Sequence, residues 1–173
     1  MDDARTLNLL GAFALSVGDA LQATTSASTG YGGEAPAALV SLGAEPGISI
    51  NTLRYILQLS HPGTVRLVDR LEAQGWVERR SGPDGRTRSL FLTTLGQERR
   101  QTILLERRQP LQVALSALSE RDLQQLTPLL EKMLIAMTTT EQQGLAICRL
   151  CEEEVCPSDL CPVEQRYRHL VQP

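Results

Sequence analysis

The string SINTLRYILQLSHPGTVRLVDRLEAQGWVERR, residues 49–80, decides the fold. The Ser49 hydroxyl oxygen can accept from a free amide of a first helical turn, which marks Ser49 as the N-cap of a short helix reaching about Leu57. Ser60 repeats the signature, with Pro62 behind it in the first turn, and a helical pattern then continues to Gln74. Gly75 stands where the chain leaves a helix in a left-handed turn. Two short helices joined by a few residues predict a helix-turn-helix. On a wheel of about 100° per residue, Val65, Val68 and Leu71 fall on one side of the second helix and Arg66 and Arg70 on the other. Gly63 and Thr64 lie in its first turn, where the backbone can come close to another surface.

Downstream the period shortens. Trp76-Val77 and Leu90-Phe91-Leu92 read as short strands around the turn-rich segment Ser81-Gly82-Pro83-Asp84-Gly85-Arg86, which predicts a β-hairpin. Thr94 then opens a helix, with Gln97 as its capping-box partner, running to about Leu118 and kinked at Pro110. Ser119 and Asp122 repeat the cap signature ahead of the apolar stripe Leu123, Leu126, Leu130, Met133 and Met137, which Pro128 kinks or splits. Upstream, Leu7, Leu10, Ala14, Val17 and Leu21 recur at helical spacing over residues 3–22. Residues 24–33 (TTSASTGYGG) read as a mobile loop, and residues 35–42 as a short helix with Pro36 in its first turn, ended by Glu45-Pro46-Gly47. The fold class is therefore mainly α with a small β-hairpin wing, a winged helix-turn-helix.

Composition agrees. Hydrophobic residues are 42% of the 173 and aromatics 3%, so the core is built from Leu, Val, Ile and Ala. The net charge of −3 argues against a polyanionic partner for the chain as a whole. Its distribution argues otherwise, because nine arginines face five carboxylates between Arg54 and Arg100, a local charge of +4. Arginines 66 and 70, on the outer face of the second helix, suit guanine edges or phosphates in a major groove. The free amides at the start of that helix suit a phosphate. Arg86 and Arg88 flank the hairpin tip beside Asp84, and Arg79 and Arg80 lie on the incoming strand. Cationic wing residues suit the negative potential of a minor groove, and Asp84 is read as the partner that fixes one of them. Each feature alone also fits a solvated surface; together, at this spacing, they point to double-stranded DNA.

These residues resemble the MarR (multiple antibiotic resistance regulator) family over about residues 37–137. The resemblance rests on the string at 49–80 and on PDGRTRSLFLTTLG at 83–96, where Asp84, Arg86, Leu92, Thr93 and Gly96 keep the family spacing. It implies an obligate homodimer, whose dimerisation region is formed by the first helix and the last two. It implies a recognition helix over Ser60–Gln74, with His61, Pro62, Gly63, Thr64 and Arg66 at base edges or phosphates, and Arg86 in the minor groove. It further implies a repressor released by a small ligand or by thiol oxidation. The expected organisation is an N-terminal dimerisation helix and loop (1–34), a DNA-binding lobe (35–96), C-terminal dimerisation helices (97–139) and a cysteine-rich tail (140–173). Two departures stand out: Arg54 replaces a small residue, and Gln58 replaces the glycine of the turn.

The tail holds all four cysteines, Cys148, Cys151, Cys156 and Cys161, as C-x2-C-x4-C-x4-C. Three readings stay open: one structural zinc ion held by four thiolates, a redox switch without a cofactor, or an iron–sulfur cluster. His169 is a spare ligand or a surface residue. No catalytic motif is present: there is no GxSxG, HExxH, phosphate-binding glycine loop or dinucleotide fingerprint, so no enzyme is expected. The alternatives are a winged-helix protein-interaction module, or a thiol-redox or metal-sensing protein. No apolar run reaches the roughly 18 residues of a membrane span, and no basic leader precedes the apolar segment at 7–17, so a cytoplasmic protein without a membrane partner is expected.

Overall fold

The computed structural model describes residues 3–30, 33–81 and 88–171. Among the described residues eight helices and a hairpin follow one another: α1 (Asp3–Thr29), α2 (Ala35–Ala44), α3 (Ile50–Leu57), α4 (His61–Ala73), β1 (Val77–Ser81), β2 (Arg88–Leu92), α5 (Thr94–Leu115), α6 (Glu120–Met137), α7 (Glu141–Cys148) and α8 (Pro162–Val171).

Helix α2 is the hub. Residues 35–42 are all buried, and they pack against α3, α5 and the hairpin. Around it gather Leu53, Ile56 and Leu57 of α3, Leu67, Val68 and Leu71 of α4, Trp76 and Val77, Leu90, and Ile103 and Leu104 of α5. The core is aliphatic, as the composition requires.

Local chemistry sets the boundaries. Ser49 and Ser60 cap α3 and α4 by accepting from the amides of Thr52 (3.0 Å) and Gly63 (3.2 Å). α4 ends in a Schellman motif: Gly75 has φ +70°, and the Trp76 amide donates to Leu71 O at 3.0 Å. β1 and β2 pair antiparallel from Val77↔Leu92 to Ser81↔Arg88.

Several expectations need correction. Helix α1 continues to Thr29, through half of the predicted loop, because Thr24 and Thr25 turn their hydroxyls back onto Ala20 O (2.8 Å) and Leu21 O (2.7 Å). α5 opens at Thr94 as expected, but Thr93 caps it in place of a Thr94–Gln97 box: Thr93 Oγ1 accepts from the Gly96 amide at 3.0 Å. α5 stops at Leu115, and both it and α6 remain single helices through Pro110 and Pro128. An isolated β-bridge beside β2 is an addition to the expected hairpin. The Leu90 amide donates to Ile48 O (3.0 Å), the Gly47 amide donates to Leu90 O (2.8 Å), and Ser49 bridges Ser89. In the tail, α7 packs on α3, and α8 packs on α6 and α7.

Candidate nucleic-acid interface

The buried side of α4 is Thr64, Leu67, Val68 and Leu71, so the helix has one available orientation against the core. Ser60, His61 and Pro62 at its start are exposed, and Gly63 is half-buried. Arg66 and Arg70 are exposed on the outer face, and none of the ion pairs among the described residues engages them. Thr64 does not share that face. It is fully buried and donates to Ser60 O at 3.1 Å, so its side chain cannot meet a groove. The true buried face is displaced by one position from the sequence wheel, with Val65 half-buried and Thr64 in its inward place.

The hairpin supplies fewer free cations than its sequence suggests. Arg79 bridges Asp69 of α4 (2.6 Å) and Glu72, so it is a strut between β1 and α4. Arg80 lies over the Phe91 ring (4.5 Å) and bonds Glu78. Arg88 is exposed and pairs with Ser81 at the outer end of the β1–β2 ladder. Asp84 and Arg86 lie outside the described residues. At the helix-turn-helix elbow, Gln58 adopts φ 55° and ψ 36°, and the Leu59 amide donates to Arg54 O at 3.0 Å. The turn therefore keeps the left-handed geometry a glycine would take, with Gln58 bearing the strain. Arg54 reaches along α3 to Asn51 Oδ1 (2.8 Å) and the Tyr55 hydroxyl (2.6 Å). Asn51 and Tyr55 are exposed polar groups on this lobe that sequence reading did not select; their only sequence signal is a position opposite Leu53 and Leu57.

The cysteines form a second constellation. All four line one cavity between the tail and the lobe, facing Val40 and Ala44 of α2 and Ile56 of α3. Cys161 is buried and the others are half-buried, all as free thiols. A hydrogen bond between Cys148 and Cys151 raises the former thiol and lowers the latter, which Arg107 also favours as thiolate. Burial, and then Cys161, push Cys156 up to about 11. His169 lies on α8, outside that lining.

This arrangement has known counterparts. The MarR family model matches residues 29–87, which span α2 to the hairpin. A match of 34% identity over 113 residues joins the chain to the transcriptional repressor MprA of Escherichia coli K12, covering 64% of each chain.

Over the helix-turn-helix and the incoming strand of the hairpin, the chain is similar to the MarR family. The match spans less than two thirds of the length of that repressor. Among solved structures, YusO of Bacillus subtilis superposes with a TM-score of 0.65 at 18% identity, covering 77% of this chain and 96% of that one. A point variant of Staphylococcus aureus MepR, bound to an oligodeoxyribonucleotide, superposes with a TM-score of 0.57 at 22% identity, covering 76% and 96%. At such identities these two likenesses establish the winged-helix fold alone. MarR family members are transcription regulators and not enzymes, in line with the lack of a catalytic motif. No helix among the described residues is long and apolar enough to cross a membrane.

Proposed function

We propose that this MarR-like chain is a sequence-specific DNA-binding repressor that acts as a homodimer and presents α4 to the major groove of an operator. One observation carries the reading: α4 is fixed in orientation by its buried side while Arg66, Arg70 and its exposed N-terminus face outward. Arginine forks onto guanine or phosphate, and helix amides meet phosphate, so that face has the chemistry a groove demands. Ser60, His61, Pro62 and Gly63 position or contact the DNA, and Arg88, with Arg86 beyond it, serves the wing. Arg79 contributes by holding the hairpin to α4. The repressor name of the E. coli relative and the oligodeoxyribonucleotide on the MepR variant support the same reading.

Release of the DNA by a small ligand, a metal or thiol oxidation is the finer part of this reading. What supports a signal borne by the tail is the shared wall between the cysteine cavity and helices α2 and α3. The low aromatic content of 3% disfavours a large flat effector.

Arg66→Glu and Arg70→Glu test the interface by fluorescence anisotropy on a bound duplex. Each should weaken binding roughly tenfold to a hundredfold, about 1–3 kcal/mol, with circular dichroism unchanged. Unaltered affinity in both variants would contradict the reading.

A further inference from the structure

The segment between α7 and α8, residues 149–161, contains turns but no helix or strand, and it leaves Val155 70% and Leu160 68% exposed. Apolar burial therefore does not hold this loop together. What converges inside it is sulfur. Cys148 closes α7, and the Cys151 amide donates to Cys148 O at 2.7 Å, a tight turn that brings the first two thiols to one side. The Cys161 amide donates to Pro157 O at 2.9 Å, and a second turn returns the last two. All four cysteines line one cavity, against Val40 and Ala44 of α2 and Ile56 of α3. The Glu164 amide donates to Cys161 Sγ at 3.5 Å. No disulfide joins any pair.

We propose that Cys148, Cys151, Cys156 and Cys161 bind one zinc-class divalent cation as a closed tetrathiolate site, which pins the α7–α8 segment against α2 and α3. Four soft ligands on two adjacent turns suit a tetrahedral ion without a geometric preference of its own. Four thiolates in one small volume repel each other unless a cation sits among them. Among the described residues no three or more His, Cys, Asp or Glu side chains are arranged to hold a metal ion, so binding has to draw the four thiols together. Binding therefore releases protons and orders the loop. The site would hold the lobe as well as the tail. Arg149, inside the loop, pairs with Glu34 (3.6 Å), and its carbonyl accepts from Ser41 Oγ (3.4 Å). Glu152 takes a bidentate contact from Arg108 of α5 (2.6 and 2.8 Å). The site does not depend on the DNA reading, and it stands or falls separately.

The test is elemental analysis of the full chain purified anaerobically, with thiol titration alongside. The expected result is about one zinc per chain, thiols that react only after chelation, and loss of the metal in Cys161→Ser. If that variant misfolds, wild-type protein stripped of metal is titrated with cobalt(II). Saturation at one equivalent, with thiolate-to-cobalt charge-transfer bands and tetrahedral d–d bands, supports the site. Four freely reactive thiols with no metal, a disulfide in the anaerobic protein, iron with acid-labile sulfide, or a cobalt spectrum lacking thiolate bands would each overturn it.

Discussion

Gln58 carries a positive φ of 55° at the elbow between α3 and α4, the only non-glycine among the described residues to do so. The family resemblance leads to a glycine being expected at this position, which makes that strain visible in advance. Gln58→Gly should raise stability by about 0.5–1 kcal/mol, the left-handed penalty less the entropy of a freer unfolded chain. Gln58→Val should lower stability, because a β-branched side chain fits that region worse. Urea unfolding of both variants checks the pair, and a stable valine variant would contradict the turn. Gly96 makes the opposite case. A Cβ there would strike the Trp76 carbonyl and press on Leu92, so Gly96→Ala should cost about 1–3 kcal/mol in the same assay. The motif reveals that a glycine belongs at this position, but only the packing beneath the wing root explains it. Thr64 is misplaced by sequence reading because a wheel leaves the phase of a helix open by one position. Arg79 is misplaced because its partners, Asp69 and Glu72, meet it only after α4 and β1 pack.

Among the secondary-structure elements, the capped helices are the legible part. Ser49, Ser60 and Ser119 each sit three residues before the amide they accept from, and so the signal is local. The bridge at Ile48–Ser49 is not legible, because its partners Ser89 and Leu90 lie far along the chain and a few residues are too short to declare a pairing. The helical end of α1 is hidden by a Ser/Thr composition that favours turns until the hydroxyls fold back. Ser60→Ala removes the cap of α4 and should cost about 1 kcal/mol by chemical denaturation. At the start of α6 the box is reciprocal: Ser119 N and Oγ donate to Asp122 Oδ2 at 2.9 and 2.6 Å. These bonds, the side-chain one foremost, hold the Asp122 carboxyl below its ordinary value. A lowered carboxyl stabilises the fold above its unfolded value and loses that contribution as pH falls through the folded one. Thermal unfolding should therefore separate wild type from Asp122→Asn at neutral pH, with the gap closing in acid; a gap that persists in acid would contradict the box.

Over the whole molecule, the lobe is sealed but the helices around it are not. Leu7 and Phe13 of α1 are 66% and 51% exposed, Val113 of α5 is 73% exposed, and α6 buries no residue fully. Apolar surface of this extent on three helices is what a second copy of the chain would cover. Phe13→Glu combined with Met133→Glu should shift sedimentation from dimer toward monomer and weaken DNA binding with it. A wild-type monomer at all concentrations would contradict the homodimer. Both the fold and the dimer serve one purpose in this reading, which is to set α4 in the groove of duplex DNA. Selection from a random duplex pool, by the wild-type protein and by the Arg66→Glu variant, measures that purpose itself. The expected result is a two-fold symmetric motif, its half-sites about one helical turn apart, enriched by the wild type and absent with the variant. No enriched motif with the wild type, or the same motif with both proteins, would contradict it.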